Sequence, residues 1–128
     1  MVLDSSALIA VVMAEPGGHE LLAKIKAAPV AGVGAPTFVE TVMVLTRRLG
    51  GDPIPLFSDL LRELNIEVIP FTEEHSRVAL GAFLKFGKGR HPAALNFGDC
   101  LAYATAVIAN QPLLFVGNDF SKTDLASA

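Results

Sequence analysis

The chain has 128 residues, 52% of them apolar and 18% charged, with a formal net charge of −3. That size and composition suit one compact domain over residues 1–128, able to bury a core without crosslinks, and they exclude a disordered segment. The negative balance excludes nonspecific wrapping of a polyanion, so any contact with nucleic acid has to rest on a local basic patch.

Met-Val-Leu at the start reads as a short buried strand that ends at Asp4. Ser5 or Ser6 is placed to cap a helix over residues 7–14, which Glu15-Pro16-Gly17-Gly18 ends. No basic region of a targeting signal precedes that helix, and its apolar stretch is too short to span a bilayer. With a single cysteine and no intrachain disulfide, the reading is a cytoplasmic protein. A second helix is expected over 19–27, with Leu21, Leu22 and Ile25 on one face, followed by a small apolar strand within 29–34. Pro36 belongs in the first turn of a helix reaching Leu49, stopped by Gly50-Gly51. Another helix over 55–64 precedes the strand Ile66-Glu67-Val68-Ile69-Pro70. Thr72 then opens a capping box with His75 where Glu or Gln is usual, and that helix runs to Phe86. The loop Gly87-Lys88-Gly89-Arg90-His91-Pro92 breaks it, and a last helix starts at Phe97 or Gly98 and reaches Ala109. Asn110-Gln111-Pro112 turns the chain into a strand over 113–116. Strands alternating with helices imply an α/β fold, three layers deep, with a mainly parallel central sheet covered on both faces.

Four acidic residues stand where the local pattern is apolar: Asp4, Glu40, Asp99 and Asp119. Buried carboxylates are costly unless paired, hydrogen-bonded or bound to a cation. In open α/β sheets, ligands bind beyond the carboxyl ends of the strands. Asp4 and Asp119 follow strands, while Glu40 and Asp99 lie in the early turns of helices that start at the same rim, so all four are expected to face one crevice. Each has a bland reading beside that one. Asp4 is a good helix cap, Glu40 a possible solvated edge residue, Asp99 a helix-start acid favoured by the dipole, and Asp119 part of an ordinary Asn-Asp turn. Carboxylates without a His–Cys set favour Mg²⁺ or Mn²⁺ over Zn²⁺.

The stretches Val2-Leu3-Asp4-Ser5-Ser6-Ala7-Leu8, Pro36-Thr37-Phe38-Val39-Glu40, Leu95-Asn96-Phe97-Gly98-Asp99-Cys100 and Leu114-Phe115-Val116-Gly117-Asn118-Asp119-Phe120 together resemble PIN-domain proteins, most closely the VapC-type ribonuclease toxins of toxin–antitoxin systems. The resemblance spans nearly the whole chain. It implies a metal-dependent endoribonuclease whose ligands are Asp4, Glu40, Asp99 and Asp119, with Asn118 the alternative in the fourth position. Ser6 matches the small polar residue that supports the first aspartate. A divalent cation would then activate water for in-line attack on phosphorus, leaving 5′-phosphate and 3′-hydroxyl ends. The resemblance also implies an RNA substrate, a cognate VapB-type antitoxin that inserts a basic side chain near the carboxylates, and a homodimer that forms a larger complex with that antitoxin. The helical segments 38–45 and 54–64 are the candidates for pairing.

Lys85, Lys88, Arg90 and His91 form the densest positive stretch, and Lys88, Arg90 and His91 on the rim, together with Ser6, are candidate substrate contacts. Arg47 and Arg48 read as surface residues at a helix C-terminus, His19 and His75 as ordinary, and Cys100 as a packed thiol. Six of the eight phenylalanines, 38, 57, 71, 83, 86 and 97, read as core or interface, with no base-stacking platform among them. Receiver domains and haloacid-dehalogenase-type phosphatases are excluded because Asp4 is followed by Ser5-Ser6 instead of completing an acidic pair. No phosphate loop or nucleophile elbow is present. The rival is a PIN-like module that binds RNA or protein without cutting.

Overall fold

The computed structural model describes residues 1–128. In chain order its elements are β1 (Val2–Leu3), α1 (Ser5–Val12), α2 (Gly18–Ala27), β2 (Ala31–Gly34), α3 (Ala35–Leu49), α4 (Ile54–Glu63), β3 (Ile66–Ile69), α5 (Glu73–Phe86), α6 (Phe97–Ala109) and β4 (Leu113–Leu114), followed by a 3₁₀ turn at Phe120–Lys122. The strands form a fully parallel sheet in the order β3-β2-β1-β4. Strand order therefore reverses between β1 and β4, which makes the gap beyond their carboxyl ends the expected ligand crevice.

Side chains alternate across β1 and the neighbouring edge strand β4 and so divide the core in two. Val2 and Leu113 face a cluster built with Ala79, Ala82 and Phe86 of α5 and Ala102 and Tyr103 of α6. Leu3 and Leu114 face the other cluster, with Leu8, Ile25, Leu45, Phe57 and Leu61 from the first four helices. The expected three-layer α/β/α arrangement follows from this split. The small residues of β2 serve close packing: a Cβ on Gly34 would lie 2.6 Å from Thr105 Oγ1, so α6 approaches the sheet only because that position is glycine.

Two local expectations change. The cap of α1 is Asp4 and not Ser5 or Ser6; both serines are helical, and Asp4 accepts the Ser6 N–H. The last strand stops at Leu114 because the Val116 N–H turns away to donate to Ser6 Oγ at 3.0 Å. The phenylalanines read as core or interface divide between the two. Phe57 and Phe86 are buried, whereas Phe97 is 81% exposed and contributes nothing to either core. Elsewhere the capping box at Thr72 forms, with His75 Nδ1 accepting the Thr72 N–H at 3.1 Å. Cys100 is buried, and burial pushes its thiol pKa up, with Asp99 adding to the effect. The chain's last residues cover the outer edge of β4, Leu113 donating to Ala126 and accepting from Ala128. No helix is long and apolar enough to cross a membrane.

Candidate active site

Asp4 follows β1 directly and is buried. Its Oδ2 accepts both the Ser6 N–H at 3.1 Å and the Ser6 hydroxyl at 2.5 Å. Both hydrogen bonds gather on one oxygen, so the capping role does not occupy Oδ1. Ser6 Oγ in turn accepts the Val116 N–H, so a single hydroxyl ties the first aspartate to the loop that carries Asn118 and Asp119. Burial pushes the Asp4 carboxyl above the usual range, the Ser6 hydrogen bonds oppose this, and repulsion from Glu40 adds to it.

Asp99 is the third residue of α6, where it closes a capping box with Asn96. The Asn96 N–H donates to Asp99 Oδ2 at 3.0 Å, and Asn96 Oδ1 accepts the Asp99 N–H at 2.9 Å. Asn96 was not singled out in the sequence, although Asn-x-x-Asp before an apolar helix is a capping signature. Burial is the largest influence raising the Asp99 pKa to about 6; the Asn96 hydrogen bond opposes it, while Asp4, Asp119 and Glu40 each push it further up. The three other acids therefore act on this one carboxyl through their charge.

Glu40 lies in the second turn of α3 and reaches across to α6. A Cβ on Gly98 would collide with its carboxylate, so the glycine beside Asp99 makes the room in which Glu40 sits. Asp119 is exposed at the start of the 3₁₀ turn and caps nothing with its side chain. That turn is held by the Ser121 hydroxyl on the Asn118 carbonyl instead. None of the four acids is paired with a cationic side chain, because the chain's ion pairs use Glu15, Asp59, Glu73 and Asp124. As they stand, no three His, Cys, Asp or Glu side chains gather into a ready-made metal cage. An all-oxygen donor set with one or two direct carboxylates and room for water fits Mg²⁺ or Mn²⁺, which keep several waters, and does not fit a closed Zn²⁺ site.

The basic loop is less uniform than its sequence. Lys85 is engaged by Asp124 at 3.1 Å, and His91 stands edge-on to Phe86 with its Nδ1 accepting the Ala93 N–H. Arg90 lies over the Phe83 ring, 5.5 Å from its centre, and Lys88 is exposed without an ion pair. On α3 the two neighbouring arginines differ. Arg48 is bound to Glu15, while Arg47 lines a groove with Glu40.

The profile described as PIN domain matches residues 1–125. VapC ribonuclease Mb2004c of Mycobacterium bovis and ribonuclease VapC36 of Mycobacterium tuberculosis are each 47% identical over 126 residues, 98% of this chain and 91% of theirs. Ribonuclease VapC30 of Mycobacterium tuberculosis is 37% identical over 99% of this chain and 97% of its own. Among solved structures, VapC20 of Mycobacterium tuberculosis, described as a sarcin-ricin loop cleaving toxin, superposes with a TM-score of 0.79 at 15% identity, covering 99% of this chain and 97% of that one. A chain of a toxin–antitoxin complex from Klebsiella pneumoniae does so with a TM-score of 0.73 at 16% identity, covering 99% and 95%; both share the fold. The chain belongs to the PIN-domain family and, within it, to the VapC ribonucleases.

Proposed function

We propose that this protein is the toxin of a toxin–antitoxin pair, a divalent-metal-dependent endoribonuclease that hydrolyses RNA phosphodiester bonds at Asp4, Glu40, Asp99 and Asp119. The observation that carries the reading is that Asp4, Glu40 and Asp119 all act by charge on the Asp99 carboxyl, with Glu40 lying against the neighbouring Gly98, while every ion pair of the chain is made by other acids. Such a cluster demands a cation from outside.

Asp4 and Asp99 would hold the metal, with Glu40 and Asp119 completing the acidic surround. Asp119 is preferred to Asn118 because its charge acts on Asp99 and its side chain is free of the turn. Bound there, Mg²⁺ or Mn²⁺ supplies activation of water and neutralisation of charge on the phosphodiester. The chain's own contribution is orientation. Ser6 fixes Oδ2 of Asp4, Asn96 fixes Oδ2 of Asp99, and Gly98 leaves Glu40 its place between them. Lys88 and Arg90 remain candidate phosphate contacts, whereas the contacts of Ser6 and His91 favour positioning roles.

The same reading includes a VapB-type antitoxin whose basic side chain would compete with the metal, and action in the cytoplasm, where RNA substrates lie. It also includes a homodimer. Leu80 and Leu84, one turn apart on α5, are 64% and 62% exposed and supply apolar surface for a second copy. The test is to incubate antitoxin-free protein with tRNA, rRNA and mRNA pools in Mg²⁺ or Mn²⁺ and in EDTA, beside Asp4→Asn and Asp99→Asn. Discrete fragments that need both metal and carboxylates are expected. Intact RNA in every pool while metal still binds would favour a non-catalytic module, and failure to bind metal would remove the four-carboxylate site.

A further inference from the structure

The two carboxylates assigned to the metal do not offer their oxygens equally. Asp4 Oδ2 accepts the Ser6 N–H at 3.1 Å and the Ser6 hydroxyl at 2.5 Å. A carboxylate oxygen has about two lone-pair sites, so both of those on Oδ2 are engaged and Oδ1 is the atom left to offer. Asp99 Oδ2 accepts the Asn96 N–H at 3.0 Å, which takes one of its lone pairs and leaves the other.

Ser6 is held where it is from two sides. Its hydroxyl gives its one proton to Asp4 and accepts the Val116 N–H at 3.0 Å, so rotating the side chain gives up both contacts at once. Its backbone N–H is the group that Asp4 caps at the start of α1. Asp4 is only 5% exposed, and water has little access to replace a donor that leaves Oδ2. A cation seeking both oxygens of Asp4 would therefore have to displace a helix cap, a hydrogen bond to a charged acceptor and the contact that holds the loop before Asp119.

That restriction weighs differently on different cations. Mg²⁺ demands near-octahedral geometry at about 2.0–2.1 Å, keeps several waters and needs only one or two carboxylates, and Mn²⁺ accepts the same arrangement of oxygens. Ca²⁺ is larger, takes about six to eight oxygens at about 2.3–2.6 Å, and gathers them in part by gripping a carboxylate through both oxygens. Asp119, which caps nothing, and Glu40, which lies against Gly98, are not held in this way. The choice between cations falls to Asp4 first and Asp99 second.

We propose that Ser6 sets the cation specificity of the acidic site: by holding Oδ2 of Asp4 it confines that carboxylate to single-oxygen coordination and so favours a small octahedral cation over Ca²⁺. Ser6 has this role only if Asp4 and Asp99 hold the metal, as the ribonuclease reading has it, and it acts through Asp4 without touching the metal or the RNA. Asn96 acts in the same sense at Asp99, more weakly, because one lone pair of that Oδ2 stays open.

Cation binding is read directly and without RNA. Free Mn²⁺ is followed by its electron paramagnetic resonance signal as it binds the full-length, antitoxin-free protein, and Mg²⁺ and Ca²⁺ are added as competitors. Mg²⁺ is expected to displace Mn²⁺ at least about tenfold more effectively than Ca²⁺ does. Ser6→Ala should narrow that ratio at least about fivefold, and Ser6→Thr, which keeps the hydroxyl, should restore it. A purely structural effect of Ser6→Ala would weaken all three cations alike. Ser6→Cys, close in size but a weak donor, should narrow the ratio as well and serves if Ser6→Ala does not fold. An unchanged ratio in the folded variants overturns the proposal, and so does a wild-type protein that takes Ca²⁺ as readily as Mg²⁺ while still binding Mn²⁺. No Mn²⁺ binding to the wild-type protein would remove the four-carboxylate site and this role of Ser6 together. A Ser6-dependent preference in a protein that cuts no RNA would uphold the role and remove the ribonuclease reading alone.

Discussion

Helix α6 carries two acid environments of opposite character. At its first turn Asp99 stands among Asp4, Glu40 and Asp119, and burial with their repulsion lifts its pKa to about 6. One turn further along, Tyr103 donates its hydroxyl to Asp124 at 2.7 Å while Lys85 donates to the other oxygen at 3.1 Å. There the Tyr103 hydrogen bond holds the Asp124 carboxyl below its usual range, burial opposing it and Lys85 adding to the lowering, and the Tyr103 phenol is pushed up, by burial first and by Asp124 next. Asp124 has its counter-charge built in and fastens the C-terminal segment to α5 and α6. Asp99 lacks one, and the fold tolerates the cost. Unequal treatment of two carboxylates, one on α6 and one held against it, separates an acid with a built-in partner from an acid left to meet an outside cation more cleanly than burial does.

The largest effect that sharpens this contrast is on cleavage. Asp99→Asn and Asp4→Asn should each lower RNA cleavage at least about a thousandfold, since no other group replaces a lost ligand, whereas Asp124→Asn should leave the rate per folded molecule within about twofold. Gel assays of fragment release over time check both. A smaller loss, about tenfold to a hundredfold, is expected for Gly98→Ala. The new methyl collides with the Glu40 carboxylate, the end of a flexible side chain, so the fold yields cheaply while the acid is displaced. Unfolding within about 0.5 kcal/mol of wild type, combined with reduced cleavage, is the expected pair of readouts.

Stability against pH divides the regions again, with opposite sign. The folded-state pKa of Asp99 lies above its ordinary 3.8, so the fold binds this proton more tightly than the unfolded chain. Its contribution to metal-free stability is therefore full below about pH 4 and is lost as pH rises through about 6, with Asp4 acting in the same direction. Discounted for solvent screening at a partly exposed group, the Asp99 share is about 1–2 kcal/mol. Mg²⁺ or Mn²⁺ should recover that loss and Asp99→Asn should abolish it, so metal-induced shifts in melting temperature should be larger near pH 7 than near pH 5. An equal shift at both would mean that the metal does not meet this carboxyl.

Much of this was legible in the residues. Hydrophobic runs, Pro36, Gly50 and the Thr72 box placed the helices within a residue or two, and the acids stood out because each interrupts an apolar pattern. What escaped depends on contacts between distant segments. That Val116 leaves the sheet for Ser6, that Arg48 and not Arg47 finds Glu15, and that Phe97 points away from both cores are all decided by packing across the sheet. A phenylalanine among Leu, Asn and Gly reads as core or interface, without a choice between them, when only its neighbours in sequence are known. Asn96 was missed for a different reason: its spacing to Asp99 is a readable cap signal, but a cap gave no cause to regard it as part of the site.

Tyr103→Phe makes the smallest change and tests whether the two ends of α6 are independent. The substitution keeps the ring in its cluster and removes one hydrogen bond to a charged acceptor, which should cost about 1 kcal/mol in urea unfolding because Asp124 is itself largely exposed. Asp124 is the group whose folded pKa is depressed, so this contribution is present above about pH 4 and fades as pH falls below it, the reverse of the slope at Asp99. The gap between wild type and Tyr103→Phe should close on acidification while cleavage per folded molecule stays unchanged at neutral pH. If cleavage instead fell in step with stability, the clasp at Asp124 would be setting the orientation of Asp99 through the single turn of α6 between Tyr103 and Asp99. The acid with a partner would then be part of how the acid without one is held.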